Sequence, residues 1–217
     1  MAGFRPWAPQ PDADDGVRSA VVAAVNELVA DGVPIGSDVD LIADRAGLRK
    51  RDVFDRFDSM ETIVEAACRA VLERMRASVR ESIVVPVGVS DQVAVFEGLL
   101  RSLRAGITPS SVAHLWRVFD GQRRRAARLA VLVDAEAGRA AHDVTEALLA
   151  ERPELDRLMV DVTVHVLMSC VGVAAQRWLA ESGGVIDDES VARWDELHEG
   201  AVAVLRAGYA ATSGDVD

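Results

Sequence analysis

Lysine is almost absent from this chain: Lys50 is its one instance in 217 residues, and arginine fills the other cationic positions. A bias that uniform matches what a GC-rich genome imposes. The run Arg123, Arg124 and Arg125, with Arg128 one turn on, is therefore read as a solvated helix face and not as a second nucleic-acid patch. Positive charge as a whole is short, with 24 Lys and Arg against 35 Asp and Glu and a formal net charge of -11. The summed field of such a chain repels polyanions and anionic bilayers, which excludes a nonspecific nucleic-acid coater and a membrane-surface protein but leaves room for local, geometrically fixed contact. Cysteine is scarce. Cys68 and Cys170 form no CxxC pair, so no disulfide framework or zinc site is expected, only reduced, buried thiols. Aromatics make up 5% of the residues, and the abundance of Ala, Val, Leu and Arg favours helices packed through small aliphatic side chains over a sheet. The most apolar stretch, Met159 to Ala175, is interrupted by Asp161, Thr163 and His165, which predicts a buried helix and no membrane span. The N-terminal segment MAGFRPWAPQPDADDG lacks an apolar signal core and a targeting pattern, so the protein is expected to be cytoplasmic, with residues 1–15 a loose arm. Catalytic signatures are missing too: no Ser-His-Asp elbow, no HExxH, no paired ExxH, no glycine-rich phosphate loop. Asp195 and His198 share a helix face as an intrahelical pair, not as half of a metal site. Neither an enzyme nor a cofactor or metal is expected.

What is present is helical spacing from end to end, which predicts an all-α fold. A first helix is expected over about Val17–Ala30, with Val17, Val21, Val25, Leu28 and Val29 on one face and Gly32 ending it. Ser37, with Asp40 three places later, predicts the cap of a second helix carrying Leu41, Ile42 and Arg45-Ala46, and leaves amides near a possible phosphate. Gly47 supplies a residue free to take positive φ, and Val53, Phe54 and Phe57 follow at three- and four-residue steps. Asp58 and Glu61 predict the cap of a fourth helix running to about Ser82 on the stripe Val64, Ala67, Val71, Met75 and Val79, before Pro86 and Gly88 break it. Ser90 opens a helix with Val93, Phe96, Leu100 and Leu103; Thr108-Pro109 opens one with Val112, Leu115, Trp116 and Phe119, and Gly121 marks a turn. A longer helix reaches about Glu151, Pro153 opens another ending at Gly183-Gly184, and the last runs from about Asp188 to Ala210. Val160 to Val166 alternates Val with polar residues as a strand would, but its length and continuation favour helix.

Cations gather where the chain is otherwise acidic. Lys50 stands among Arg49, Arg51 and Arg56 on the short helix after Gly47, and two helices with a glycine turn form a DNA-reading unit when the second is exposed and basic. With Arg45 of the preceding helix counted among them, Asp40, Asp44, Asp52 and Asp55 leave the balance of the two helices only slightly positive. Asp52 and Asp55 either make surface pairs or take part in reading, by accepting from a cytosine amino group or orienting a neighbouring Arg.

Ile42, Ala43, Ala46, Gly47, Leu48, Val53, Phe57, Ser59 and Glu61, with Ile63 at the last apolar place, fall in register with the DNA-binding domain of the TetR family of bacterial one-component regulators. The segment 17–63 resembles that family; the remainder is similar only in length and helical character. The resemblance implies a three-helix helix-turn-helix domain over 16–62, joined through a long helix to a helical effector-binding and dimerisation domain over 63–212, with a loose tail at 213–217. It implies DNA contacts from Ser37, Arg49, Lys50, Arg51, Asp52, Phe54 and Arg56. Departures are specific. Arg49, Arg51 and Asp52 stand where the family has small or hydroxyl residues, and Phe54 and Met60 replace a Tyr and a Lys that commonly grip the DNA backbone. Arginine forks at 49, 51 and 56 are positioned to compensate.

The same resemblance implies a pocket for a small hydrophobic effector, for which Met75, Phe96, His114, Trp116, Phe119 and Met168 supply aromatic walls, thioethers and a polar handle. At those spacings the same residues also serve as core filling, and His165 reads as a core histidine. Val166, Trp178, Val191, Trp194, Leu197 (or His198), Ala201 and Leu205, on the last two helices, are the expected homodimer contacts, since the earlier helix is apolar over more of its circumference than one neighbour needs. The expected function is a homodimeric repressor on an inverted repeat of double-stranded DNA, released by its effector. The other class left open is a dimer of the same fold whose degenerate reading helix has left it a small-molecule or protein-binding module.

Overall fold

A computed structural model describes residues 13–35, 38–83, 92–120 and 126–213, with side chains placed within 16–35, 38–83, 96–119 and 130–204. Ser37, Pro86, Gly88, Ser90, Gly121 and Arg123 to Arg125 lie outside these residues, as do the side chains of Val93, Arg128 and Leu205. Among the described residues there are nine helices and no strand: α1 Ala13–Ala30, α2 Val39–Ala46, α3 Lys50–Phe54, α4 Met60–Glu81, α5 Gln92–Gly106, α6 Pro109–Asp120, α7 Ala126–Glu151, α8 Arg157–Ser182 and α9 Asp188–Ser213. The chain divides into two compact units, one drawn from Met1–Ala70 and Val118–Arg123, the other from Val71–Arg117 and Arg124–Asp217.

In the first unit α1, α2 and α3 pack on one another. Val21, Val25, Leu28 and Val29 of α1 are buried as their spacing predicts, together with Ile42, Val53, Phe57 and Ile63; Val17 is only half-buried. Asp38 caps α2, its Oδ1 accepting from the Asp40 and Leu41 amides at 3.0 and 3.2 Å, where the sequence pointed to Ser37. Gly47 ends α2 at φ 66°, and the amides of Gly47 and Leu48 donate to Asp44 and Ala43 carbonyls, so the carbonyls freed at the helix end are satisfied by a left-handed turn that a Cβ would strain. Ser59 and Thr62 cap α4 reciprocally, one residue on from the expected Asp58; Thr62 Oγ1 accepts from the Ser59 amide and Ser59 Oγ from the Thr62 amide.

The second unit is organised around α8, which packs on α5, α7 and α9. Its inner stripe is Val160, Val164, Leu167, Val171, Ala174 and Trp178, so the segment that alternates like a strand is helix. Asp156, not Pro153, marks its start, accepting from the Met159 amide at 2.9 Å. Val79, Leu99, Leu103, Val144, Leu148, Val164, Leu167 and Val202 share one core, and Val112, Ala113, Trp178 and Trp194 a smaller one. Trp178 and Trp194 meet edge to face at 5.5 Å, and Trp178 Nε1 donates to the Ser190 carbonyl at 2.7 Å. Thr108-Pro109 opens α6 as predicted, and Thr108 and Ser111 cap it through reciprocal side-chain to amide bonds. At the end of α5, Gly106 lies so close to α4 that a Cβ there would stand 2.4 Å from Val79 Cα.

By length and composition α8 is apolar enough to cross a membrane, with mean hydropathy 1.9 over its most apolar window, yet only 28% of that window is buried. This corrects the expectation of a buried helix. One face of α8 is core, and the opposite face exposes Leu158, Val162, Val166 and Val173, with His165 and Ser169 exposed among them.

Candidate nucleic-acid interface

The segment from Gly47 to Phe57 is anchored from beneath. Val53 and Phe57 are almost wholly buried, which fixes the rotation of α3 and sends its intervening side chains outward. Arg49 and Arg51 are 83% and 85% exposed, Lys50 about half, and the Phe54 ring is 47% exposed despite being apolar. Arg56 is exposed at the end of the segment. Six of the seven residues expected to contact DNA therefore fall on one short stretch of the first unit; the seventh, Ser37, is outside the described residues.

The cations are not bare. Asp52 holds Arg49 side-on, Nε to Oδ2 at 3.0 Å and Nη2 to Oδ1 at 2.8 Å, and its Oδ2 also accepts from the Arg49 amide at 3.3 Å. These bonds favour the ionised pair, so Asp52 titrates below the ordinary carboxylate range and Arg49 above the ordinary guanidinium value. Lys50 Nζ donates to Asp40 Oδ2 at 2.7 Å across the turn. Arg51 meets Asp55 only at 3.9 Å. Arg45 of α2 bonds Asp31, just past the end of α1, at 2.8 Å and lies 3.8 Å from Glu27 of α1, so it serves as a tie between α1 and α2.

Two features of the first unit had no signal in the sequence. Arg18 of α1 lays its guanidinium over the Phe57 ring, 5.3 Å from its centre. Beside it a pocket of about 220 Å³ gathers Arg18, Arg56 and Arg69 with Asp58 and Glu65, Arg69 being bonded to Glu65 at 3.2 Å. Contacts between residues this far apart in sequence depend on how α1 lies against the turn, which no local pattern encodes.

The expected effector residues of the second unit separate. Phe96 and Met168 join the larger core and Met75 the smaller one, with Ile107 touching both. Trp116 lies against the turn at Gly184, where a Cβ would come within 3.3 Å of its Cδ1. His114 is half-buried, and burial with Arg74 and Arg117 nearby lowers its pKa and keeps it neutral. Phe119 is buried and falls in the other unit. Among the described residues no group of three or more His, Cys, Asp or Glu has the arrangement of a metal site.

The dimer residues need a sharper correction. Trp178 and Trp194 are buried against each other inside the second unit, so neither is available to a partner chain. Leu197 packs on the same cluster and Ala201 is half-buried. Val166 and Val191 remain exposed, and sequence reading overlooked Leu158, Val162 and Val173, which continue the Val166 row along α8. No family model matches the chain, and no curated protein matches it.

Proposed function

We propose that this protein is a DNA-binding transcription regulator of the kind the TetR resemblance implies. In this reading it is a cytoplasmic repressor, binding an inverted-repeat operator as a homodimer and released by a small hydrophobic effector. The observation that carries it is the outward face of α3, where Arg49, Arg51 and Phe54 project from a helix pinned through Val53 and Phe57 just after the Gly47 turn. An exposed basic helix in that position is what enters a major groove. The bare apolar row on α8 supports the dimer, since an exposed surface of this kind marks an interaction site and a two-fold pairing of α8 covers it with its own copy. An effector acts by preferring a conformation unsuited to DNA, and then DNA weakens effector binding by the same factor. No catalytic, cofactor or metal role belongs to this reading.

A second reading has its own observation. Lys50 and Arg49 are both bonded to carboxylates, and a reading helix whose cations are already neutralised suits a dimer that binds small molecules or proteins without DNA. Titration of DNA from upstream of the chain's own gene, at several salt concentrations, separates the two. The regulator loses affinity steeply with salt, by about 0.9 in log-log slope for each phosphate engaged, and Arg49→Ala with Arg51→Ala together abolishes binding. Absence of binding even at low salt supports the second reading instead.

A further inference from the structure

We propose that Arg49 is the base-specific reader of this protein, recognising a guanine in each half-site, and that Asp52 is the positioning residue that aims it. The inference rests on the DNA-binding reading above and names the base and the atoms involved. A guanidinium carries five N–H donors in a rigid plane, along a side edge (Nε and Nη2) and an end edge (Nη1 and Nη2). Asp52 occupies the side edge with both carboxylate oxygens, at 3.0 and 2.8 Å. The third bond, from the Arg49 amide to Oδ2, ties the same carboxylate to the backbone at the start of α3. The end edge keeps two parallel N–H groups on a side chain that is 83% exposed. Two parallel donors in one plane match the O6 and N7 acceptors of guanine in the major groove.

Charge argues for a base over a phosphate. With Asp52 bonded to it, Arg49 belongs to an ion pair of zero net charge and gains little from a phosphate's field, whereas guanine O6 and N7 are neutral acceptors that reward direction. Arg51 differs: its carboxylate neighbour is 3.9 Å away, and its fork is left for the backbone. The two arginines divide the work, one supplying sequence preference and the other salt-dependent affinity.

The test is selection of bound duplexes from a random-sequence DNA pool by the full chain and by Arg49→Ala, Asp52→Ala and Arg51→Ala, each first checked for an unchanged helical spectrum and melting temperature. The wild type is expected to enrich sites with one guanine at a symmetry-related position in each half. Arg49→Ala loses that preference, on the order of tenfold or more in affinity ratio between guanine and other bases. Replacing the guanine by 7-deazaguanine, which lacks the N7 acceptor, weakens the wild type but not Arg49→Ala. Asp52→Ala separates positioning from mere surface pairing: removing its negative charge raises affinity for random DNA while guanine preference falls. If Asp52→Ala raises both together, or if Arg49→Ala leaves every base preference intact, the inference is overturned and the DNA-binding reading stands. If the wild type enriches nothing from the pool, both fall.

Discussion

At the scale of single residues, the most informative position is one that carries no charge. Gly106 ends α5 where a Cβ would stand 2.4 Å from the Val79 backbone, so the two helices approach as closely as they do because a side chain is missing. Helix propensity favours Ala over Gly by about 1 kcal/mol in a helix interior, but at a terminal residue most of that gain is lost, and backbone cannot yield as a flexible side chain does. Overpacking therefore wins. Gly106→Ala is expected to destabilise the second unit by about 1 to 3 kcal/mol, read as a lower denaturant midpoint at unchanged slope. A higher midpoint would contradict the close approach. Single residues are also where local sequence decides least, and for one physical reason. Asp58 and Ser59 are neighbours of nearly equal capping competence, and nothing in composition chooses between them. The bond from Lys50 to Asp40 is equally hidden, because it spans ten residues and exists only through the geometry of the intervening turn.

At the scale of elements, periodicity was a good guide to where helices lie and a poor one to which way α8 faces. Among the described residues nine helices appear close to where spacing and turn residues put them, and the Gly47 turn has the left-handed angle its place demanded. On α8 both faces are apolar, so spacing cannot tell core from surface. Spacing alone accordingly fits Trp178 to an interface, although its indole N–H finds its partner within the chain, at the Ser190 carbonyl. Where α8 gives way to α9, Glu181 accepts from Arg177 and Arg193 at 2.7 Å each, and these bonds hold its pKa down to about 2 from an ordinary 4.5. A carboxylate whose folded value is depressed contributes stability above its unfolded value and loses that contribution as pH falls through the folded one. Melting temperatures of the wild type and Glu181→Gln should thus differ by a constant amount above about pH 5 and converge as pH approaches about 2, damped by the pair's exposure and by salt. A difference that persists unchanged into strong acid would remove Glu181 from the account.

At the scale of the whole molecule, the proposed function asks an acidic chain to approach a polyanion and the exposed side of α8 to find its own copy. Val162→Asp with Val166→Asp places charges in the row that pairs under the proposed assembly while leaving the buried stripe of α8 untouched. The variant should sediment as a monomer, keep its helical spectrum, and lose cooperative binding to an inverted repeat. A dimer of undiminished strength would move the interface elsewhere. The proposed regulatory role draws only on Ile42 to Ile63, where the demands of a tight turn and an exposed basic helix leave a pattern in the sequence; a body packed from Ala, Val and Leu satisfies the same core with many sequences and leaves no such trace.

The row of Leu158, Val162, Val166 and Val173 also bears on how such a molecule lives in a cell. Under the proposed pairing, a freshly synthesised subunit carries that greasy strip uncovered until it meets its twin, and in the interval it is a target for chaperones and proteases. Abundance then feeds back on survival: a scarce product is cleared faster than a plentiful one, and heat tolerance measured in the test tube climbs with protein concentration.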